Sequence, residues 1–209
     1  MTAHIIGTIQ RQLSTLFEEF KRTQDTWEEL NSHAFPLASS LTNSVILSKY
    51  VDEPQYWHPL LSLEFPDIIQ KYDAKMQRII EQQHTKLDDL VEKMAKQQNK
   101  MKQYRKELNA ICERAENING QAFVKHQAIF QTCSLDFFAS RMEKIIDMYS
   151  RELLTKRSLL DKSEKGFKNI LSREEGVVLL SIWINQPSIV KSFLQEWQDI
   201  CATEMNLML

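Results

Sequence analysis

The residue types that carry chemistry are present in this sequence, but their spacing forms none of the usual catalytic or nucleotide-binding motifs. Loops that bind phosphate need closely spaced glycines, so that backbone N–H groups can approach the ligand. The four glycines lie at positions 7, 120, 166 and 176, far from one another. The sequence therefore excludes Walker-type and dinucleotide-binding loops.

The histidines, carboxylates and cysteines also lack a catalytic or metal-binding arrangement. His84 has no second histidine or cysteine at helical spacing, and adjacent carboxylates such as Asp88 and Asp89 point in different directions on a helix. The three cysteines are far apart and form no CxxC or Cys/His pattern of a zinc site. We therefore expect a protein that is not an enzyme and that needs no cofactor or metal.

Basic residues form two clusters, one at residues 93–106 and one at residues 151–168. The members of the first cluster do not keep one heptad position, so a solvated helix face explains them, and contact with RNA or an acidic protein surface is the alternative. The net charge of -2 and the isoelectric point near 6.2 provide no general attraction to nucleic acid. Direct nucleic-acid binding is therefore not expected.

The composition favours long helices in a protein that does not enter a membrane. Four glycines and five prolines among 209 residues leave few tight turns. No segment approaches the ~20 apolar residues of a membrane span, and the first residues lack the apolar block of a signal peptide. The odd, scattered cysteines fit a reducing compartment, so we expect a cytoplasmic and nuclear protein.

The first segment carries apolar residues at gaps of 3 and 4 from Ile6 to Val45, with the polar Thr23 at the one missing step, as in the a and d positions of a heptad. Pro36 follows the polar residues 31–33 and removes a backbone donor, which predicts a kink or a restart. The pattern predicts two collinear helical pieces near 3–31 and 34–48, within a helical region near 3–48. Residues 49–66 contain three prolines and are predicted to form a linker that packs through its aromatic side chains.

The next segment, 67–118, contains no glycine or proline and is predicted to be one long helix with two apolar seams. The first seam, in which residues recur every seven positions, consists of Ile80, Leu87, Met94, Met101, Leu108 and Ala115. The second consists of Ile69, Met76, Gln83, Leu90, Gln97, Tyr104, Ile111 and Ile118. A lone helix cannot bury such seams, so it must fold against other helices or bind a partner. The two glutamines either lie on a partly exposed face or help to select that partner.

The C-terminal part is predicted to contain a third long helix near 134–165 and two short helices. A capping box at 172–175 opens a helix that runs through Trp183, and the final helix carries Trp197. Both tryptophans are explained either as core or as part of a docking surface. The prediction is an all-α fold: an elongated antiparallel helical bundle or coiled coil over 1–165, followed by a small helical unit over 166–209.

Four sequence elements resemble a known pair of families. The run PLASSLTN at 36–43, downstream of Trp27, and FPD at 65–67 resemble AIRIM, the ribosome maturation factor associated with SPATA-type AAA+ ATPases. The run YSRELLTKR at 149–157 resembles both AIRIM and its partner CINP, the cyclin-dependent-kinase-interacting protein. The run SIWINQP at 181–187 looks closer to CINP.

The resemblance implies a non-catalytic adaptor subunit that pairs with a CINP-like protein and docks on an AAA+ ATPase hexamer. Such an assembly promotes cytoplasmic maturation of large ribosomal subunit precursors, by releasing shuttling assembly factors, and acts in protein turnover at replication forks on chromatin. The alternatives are the CINP-like subunit of the same complex and a coiled-coil component of a cytoskeletal or kinetochore-type assembly. The residues predicted to bind partners are Ile80, Leu87, Leu90, Met94, Met101, Tyr104, Leu108, Tyr149, Lys156, Arg157 and Trp183.

Overall fold

Helices form almost all of the ordered structure, as the scarcity of glycine and proline predicts. A computed structural model of the chain describes residues 2–51, 53, 55, 57–161 and 166–205. The α-helices in this part of the chain are α1 (Thr2–Ser48), α2 (Pro59–Glu64), α3 (Ile68–Asn119), α4 (Gln121–His126), α5 (Leu135–Leu160), α6 (Arg173–Asn185) and α7 (Lys191–Glu204). Within the described residues the only β-type pairing is a single bridge between Ala128 and Ser134. The predicted all-α class is confirmed.

The long helix α3 matches the prediction to within a residue at each end, and α5 begins where the third helix was expected. Residues 162–165, the predicted end of that third helix, lie outside the described residues. The predicted linker contains the short helix α2. The predicted capping box is confirmed because the Glu175 N–H donates to Ser172 Oγ at 3.2 Å.

The predicted restart at Pro36 is wrong, because α1 is one helix of 47 residues with this proline inside it, whereas the predicted kink stays a prediction. A proline leaves the carbonyl of the residue four positions earlier without its helical donor. That residue, Ser32, is exposed, as is Pro36, so water can reach the freed carbonyl. The neighbouring Ala34 and Ala38 are fully buried, and their packing favours continuation of the helix.

The helices contribute to two compact units, each built from separate stretches of the chain. Unit 1 consists of 1–28, 95–152 and 187–209, and unit 2 consists of 29–94 and 153–186. Residues 166–186 belong to unit 2 and 187–209 to unit 1, and the domain boundary predicted at residue 165 stays a prediction. Packing joins segments that are distant in sequence, which a reading along the chain does not anticipate.

The core of unit 1 is aromatic. Phe17 lies with its ring centroid 5.2 Å from those of both Phe138 and Trp197, and the latter two are 6.1 Å apart in an edge-to-face arrangement. Such tilted pairs stabilise a core beyond the area they bury. The loop before α5 is tied to α1 by Gln10, whose Nε2 donates to the Ile129 carbonyl at 2.7 Å.

Unit 2 has a smaller core around α6, in which Trp183 and Phe167 are fully buried with ring centroids 5.9 Å apart. Gly176 brings the α6 backbone close to α1: a Cβ at this position would lie 2.7 Å from Thr42 Cγ2. Buried His84 lies with Nε2 2.9 Å from the Leu160 carbonyl, which is near the end of α5.

Candidate interaction surfaces

The first seam of α3 is covered by the chain itself. Its predicted partner-binding residues Ile80, Leu87, Met94, Met101 and Leu108 are all buried, with exposures of 6% or less. A helix seam of this kind is covered by neighbouring helices, as the sequence requires. These five side chains pack inside the chain, and their predicted contact with a partner stays a prediction.

The second seam is less completely covered. Leu90 and Tyr104, which were also predicted to bind partners, are half-buried, and Ile118 is exposed. Gln83 has a partner within unit 2, because its Nε2 donates to Ser40 Oγ of α1 at 2.8 Å. Its amide therefore contributes a specific contact between helices of the same chain.

The segment 149–157, which contains three of the residues predicted to bind partners, is largely internal. Tyr149 is 1% exposed in unit 1, edge-on to Trp27 at 5.1 Å. Burial, helped by the nearby Glu28 carboxylate, raises the pKa of its hydroxyl. In unit 2, Arg157 is exposed and pairs with Glu92 of α3 at 2.9 Å. An exposed ion pair of this kind contributes little to stability.

Lys156 and Trp183 form a buried pair in unit 2, and neither is accessible to a partner. The Lys156 ammonium donates to the Trp183 carbonyl at 2.8 Å and lies 4.3 Å from the centroid of its indole ring. A buried ammonium needs such compensation, because removing it from water is costly. The pair joins α5 to α6, which makes Trp183 a core residue, one of the two alternatives predicted for it.

Several members of the two basic clusters form contacts within the chain. Besides Lys156 and Arg157, Lys168 pairs with Glu81, and Arg105 pairs with Glu143 at 2.6 Å. Side chains committed to carboxylates offer less positive charge to a phosphate backbone. This favours the solvated-face interpretation of the clusters over nucleic-acid contact.

Exposed apolar side chains are distributed unequally between the two units. Among the described residues, Ile118 and Val190 are the large exposed hydrophobic residues of unit 1. The other twelve belong to unit 2: Leu47, Tyr50, Leu60, Leu61, Leu63, Phe65, Tyr72, Leu154, Leu171, Val177, Val178 and Ile184. Apolar residues exposed singly are normal, but a concentration of them marks an interaction site.

Four of these residues lie in the short helix α2 and at its C-cap, directly after a residue that packs on the rest of unit 2. The N-cap of α2 is His58, whose Nδ1 accepts from the Leu60 N–H at 3.3 Å. Just before it, the Trp57 indole donates to the Val51 carbonyl at 2.6 Å, and its ring lies edge-on to Tyr72 at 5.5 Å. The anchor residue Trp57 thus packs as expected for the linker, whereas Leu63 is 78% exposed.

We call the exposed residues Leu60, Leu61, Leu63 and Phe65 the α2 surface. It was not among the predicted site residues. The signal that could have found it is a group of large apolar residues between two prolines, at spacings that match no seam. Periodicity identifies residues that a helix can bury together, and this short group has no such period.

Two of the three thiols are kept in their protonated form by burial. Burial raises the pKa of Cys112 to about 11 and that of Cys201 to about 12, which keeps both as thiols. No group of three His, Cys, Asp or Glu residues among those described could hold a metal ion. The described helices also include none that is long and apolar enough to cross a membrane.

The chain is thus an all-helical protein. Among its described residues the α2 surface is an exposed apolar feature of the kind suited to protein contacts. No family model matches the sequence. It is similar to the cyclin-dependent kinase 2-interacting protein of Bos taurus, with 25% identity over 197 residues, 90% of each chain. The human protein of the same name is also 25% identical, over 201 residues that cover 90% of this chain and 91% of that protein. These relatives support the resemblance to CINP, and the resemblance to AIRIM stays a prediction.

Proposed function

We propose that this chain is a CINP-like, non-catalytic subunit that binds other proteins through unit 2. The observation that carries the proposal is the concentration of exposed apolar side chains there, above all the α2 surface. Burying each large side chain in an interface stabilises it by about 1.5–3 kcal/mol, so four adjacent ones could anchor a partner. The contacts of Trp57 just before α2 restrict the segment and lower the entropy cost of binding.

The partners follow from the resemblance and from the names of the relatives. As the CINP-like member of the pair, the chain would bind an AIRIM-like protein and, with it, a SPATA-type AAA+ ATPase hexamer. Its work would be the release of shuttling factors from large-subunit precursors in the cytoplasm and protein turnover on chromatin in the nucleus. The relatives' names also support a contact with a cyclin-dependent kinase.

A role as an extended coiled-coil component of a cytoskeletal or kinetochore-type assembly has less support. Such a component leaves an apolar seam free for its partner. Here the first seam of α3 is buried from Ile80 to Ala115 within the chain. An interaction subunit that folds on its own and binds through surface side chains accounts better for this packing.

Affinity purification of the full chain from cells, followed by mass spectrometry, tests the proposal. The wild type should recover an AIRIM-like protein and the ATPase, and the double variant Leu60→Glu/Leu63→Glu should lose at least one of them. Val190→Glu, which changes an exposed apolar residue of unit 1, is the matched control and should retain both. Recovery of no partner by the wild type would contradict the proposal.

The cellular role is tested separately by depleting the chain. Shuttling assembly factors should then stay on cytoplasmic large-subunit precursors, and re-expression of the wild type should restore their release. If these precursors keep their normal composition after depletion, the ribosomal role is refuted while partner binding is still tested by the purification.

A further inference from the structure

One charged residue lies among the apolar side chains of the α2 surface. Glu64 is four positions after Leu60 and three after Leu61, so these three residues share one side of the helix. Leu63 directly precedes Glu64, and Phe65 directly follows it as the C-cap. The four apolar side chains are between 41% and 78% exposed, so the carboxylate lies within an open apolar surface.

The carboxylate of Glu64 is exposed and forms no ion pair with another described residue. The residues one turn before it are leucines, and the residue three positions after it is Asp67, a second exposed carboxylate. Water stabilises the Glu64 charge as long as the surface is open. A partner that covered the surrounding leucines would remove this water, and the charge would then need a cation to compensate it.

The segment around α2 supplies no such cation. Between Lys49 and Lys71 there is no lysine or arginine, whereas the same stretch contains four carboxylates. Its one histidine, His58, accepts a backbone N–H through Nδ1, and a ring nitrogen that accepts a hydrogen bond carries no proton. Lys71 lies one turn after Asp67 and can offset that carboxylate. Glu64 is therefore the charge that a partner has to compensate.

We infer that the α2 surface binds a segment of a partner protein in which an arginine stands among apolar side chains. The apolar side chains would cover Leu60, Leu63 and Phe65, and the guanidinium would pair with Glu64. Arginine suits this position because its planar group binds a carboxylate through two parallel hydrogen bonds and is less strongly hydrated than the lysine ammonium. The inference rests on the proposed function and adds the chemistry that the partner must bring to its binding surface.

Selection from a random peptide library tests the inference without knowledge of the partner. Phage-displayed peptides of about 12 residues are selected on the full-length wild type, and clones that also bind Leu60→Glu/Leu63→Glu are removed. The same selection is made on Glu64→Lys and on the control Glu29→Lys, which changes an exposed glutamate of α1 in the same unit. Both glutamates are exposed, so both variants should fold as the wild type does, which circular dichroism melts verify.

Peptides selected on the wild type should combine large apolar residues with an arginine. Those selected on Glu64→Lys should carry an aspartate or glutamate instead, and Glu29→Lys should select the same class as the wild type. One wild-type peptide is then measured by fluorescence anisotropy. Glu64→Lys should weaken its binding about tenfold or more, and Glu29→Lys less than about twofold.

Wild-type peptides without a basic residue, or equal losses of affinity in the two variants, would overturn the inference. So would the absence of any peptide whose binding depends on Leu60 and Leu63. A wild-type homodimer that Glu64→Lys dissociates, detected by light scattering, would overturn it as well, because a second copy of the chain would then cover the surface.

These outcomes are separable from the test of the proposed function. If the selected peptides carry the expected arginine but cells yield no partner, the chemistry of the surface is supported and the proposed function fails. If cells yield partners that Leu60→Glu/Leu63→Glu loses, while the selection shows no preference for arginine, the proposed function stands and this inference fails.

Discussion

Unit 1 and unit 2 are both built from helices, but they differ in how many of their large apolar side chains are exposed. Unit 1 gathers its large residues around Phe17, Phe138 and Trp197 and leaves few of them exposed among the residues described. Unit 2 buries Trp183 but leaves the α2 surface and the outer side of α6 exposed. The difference indicates that most large apolar side chains of unit 1 contribute to its own core, whereas unit 2 leaves more of them accessible to a partner.

The largest effect should come from placing a charge in either core. Leu87→Glu in unit 2 and Leu108→Glu in unit 1 would each bury a carboxylate at a fully covered position, at a cost of about 4 kcal/mol or more. Chemical denaturation followed by circular dichroism should show either strong destabilisation or no folded state. Any loss of partner binding in these variants would then be a consequence of unfolding.

The control is Leu63→Glu on the α2 surface, which should change the free energy of unfolding by no more than about 0.5 kcal/mol. If Leu63→Glu were as damaging as Leu87→Glu, the exposed side chains of unit 2 would be part of its core and the contrast between the units would disappear.

The buried lysine of unit 2 should give the next largest effect. Lys156→Met removes the hydrogen bond to the Trp183 carbonyl and the cation over its ring, and we expect a loss of about 2 kcal/mol. Urea denaturation measures it. The neighbouring Arg157→Met, which breaks only an exposed ion pair, should cost less than about 1 kcal/mol. Equal losses in the two variants would show that the buried pair has no special role.

In unit 1, a set of hydrogen bonds connects Glu204, at the end of α7, to the loop before α5. Its carboxylate accepts from the backbone N–H groups of Gln131, Thr132 and Cys133, at 2.9 to 3.2 Å, and from the Thr132 hydroxyl. Desolvation alone would raise the pKa of Glu204, but these hydrogen bonds lower it to about 2. The ionised form is therefore the one that stabilises the fold.

Glu204→Gln should reduce the free energy of unfolding by about 1–2 kcal/mol at pH 7. Because the folded pKa lies below the unfolded one, the contribution of Glu204 is complete above the ordinary glutamate pKa and declines as the pH falls toward about 2. The difference between wild type and variant should therefore shrink between pH 5 and pH 2 in urea titrations. A difference that does not change with pH would contradict this role.

The smallest effect concerns the approach of α6 to α1 in unit 2. Gly176→Ala would place a methyl group against Thr42 Cγ2, and the strain should outweigh the better helix propensity of alanine, with a net loss of about 1 kcal/mol. Thr42→Ser removes that methyl group. A double-mutant cycle should then show that Gly176→Ala becomes neutral or stabilising in the Thr42→Ser background. Additive effects would indicate that the contact is not tight.

The predictions from sequence succeeded where a pattern extends over many residues. The unbroken run of residues 67–118 predicted α3, and its seven-residue seam predicted which side chains are buried. The predicted division into two helical pieces failed at Pro36, because a proline rule describes local geometry and the packing of Ala34 and Ala38 offsets it. Lys156 shows a second limit, since a lysine in a basic cluster gives no sign that its ammonium lies under a tryptophan.

The amino-acid sequence by itself determined the helical class, the length of α3, the capping of α6 and the absence of a glycine-rich phosphate loop, because each depends on residues that are neighbours along the chain. The tertiary structure alone decided which seam is covered, that Lys156 and Trp183 face inward, and that the α2 surface lies open. These depend on contacts between residues far apart in sequence. A periodic pattern states that a face must be buried, and only packing determines whether the chain itself or a partner covers it.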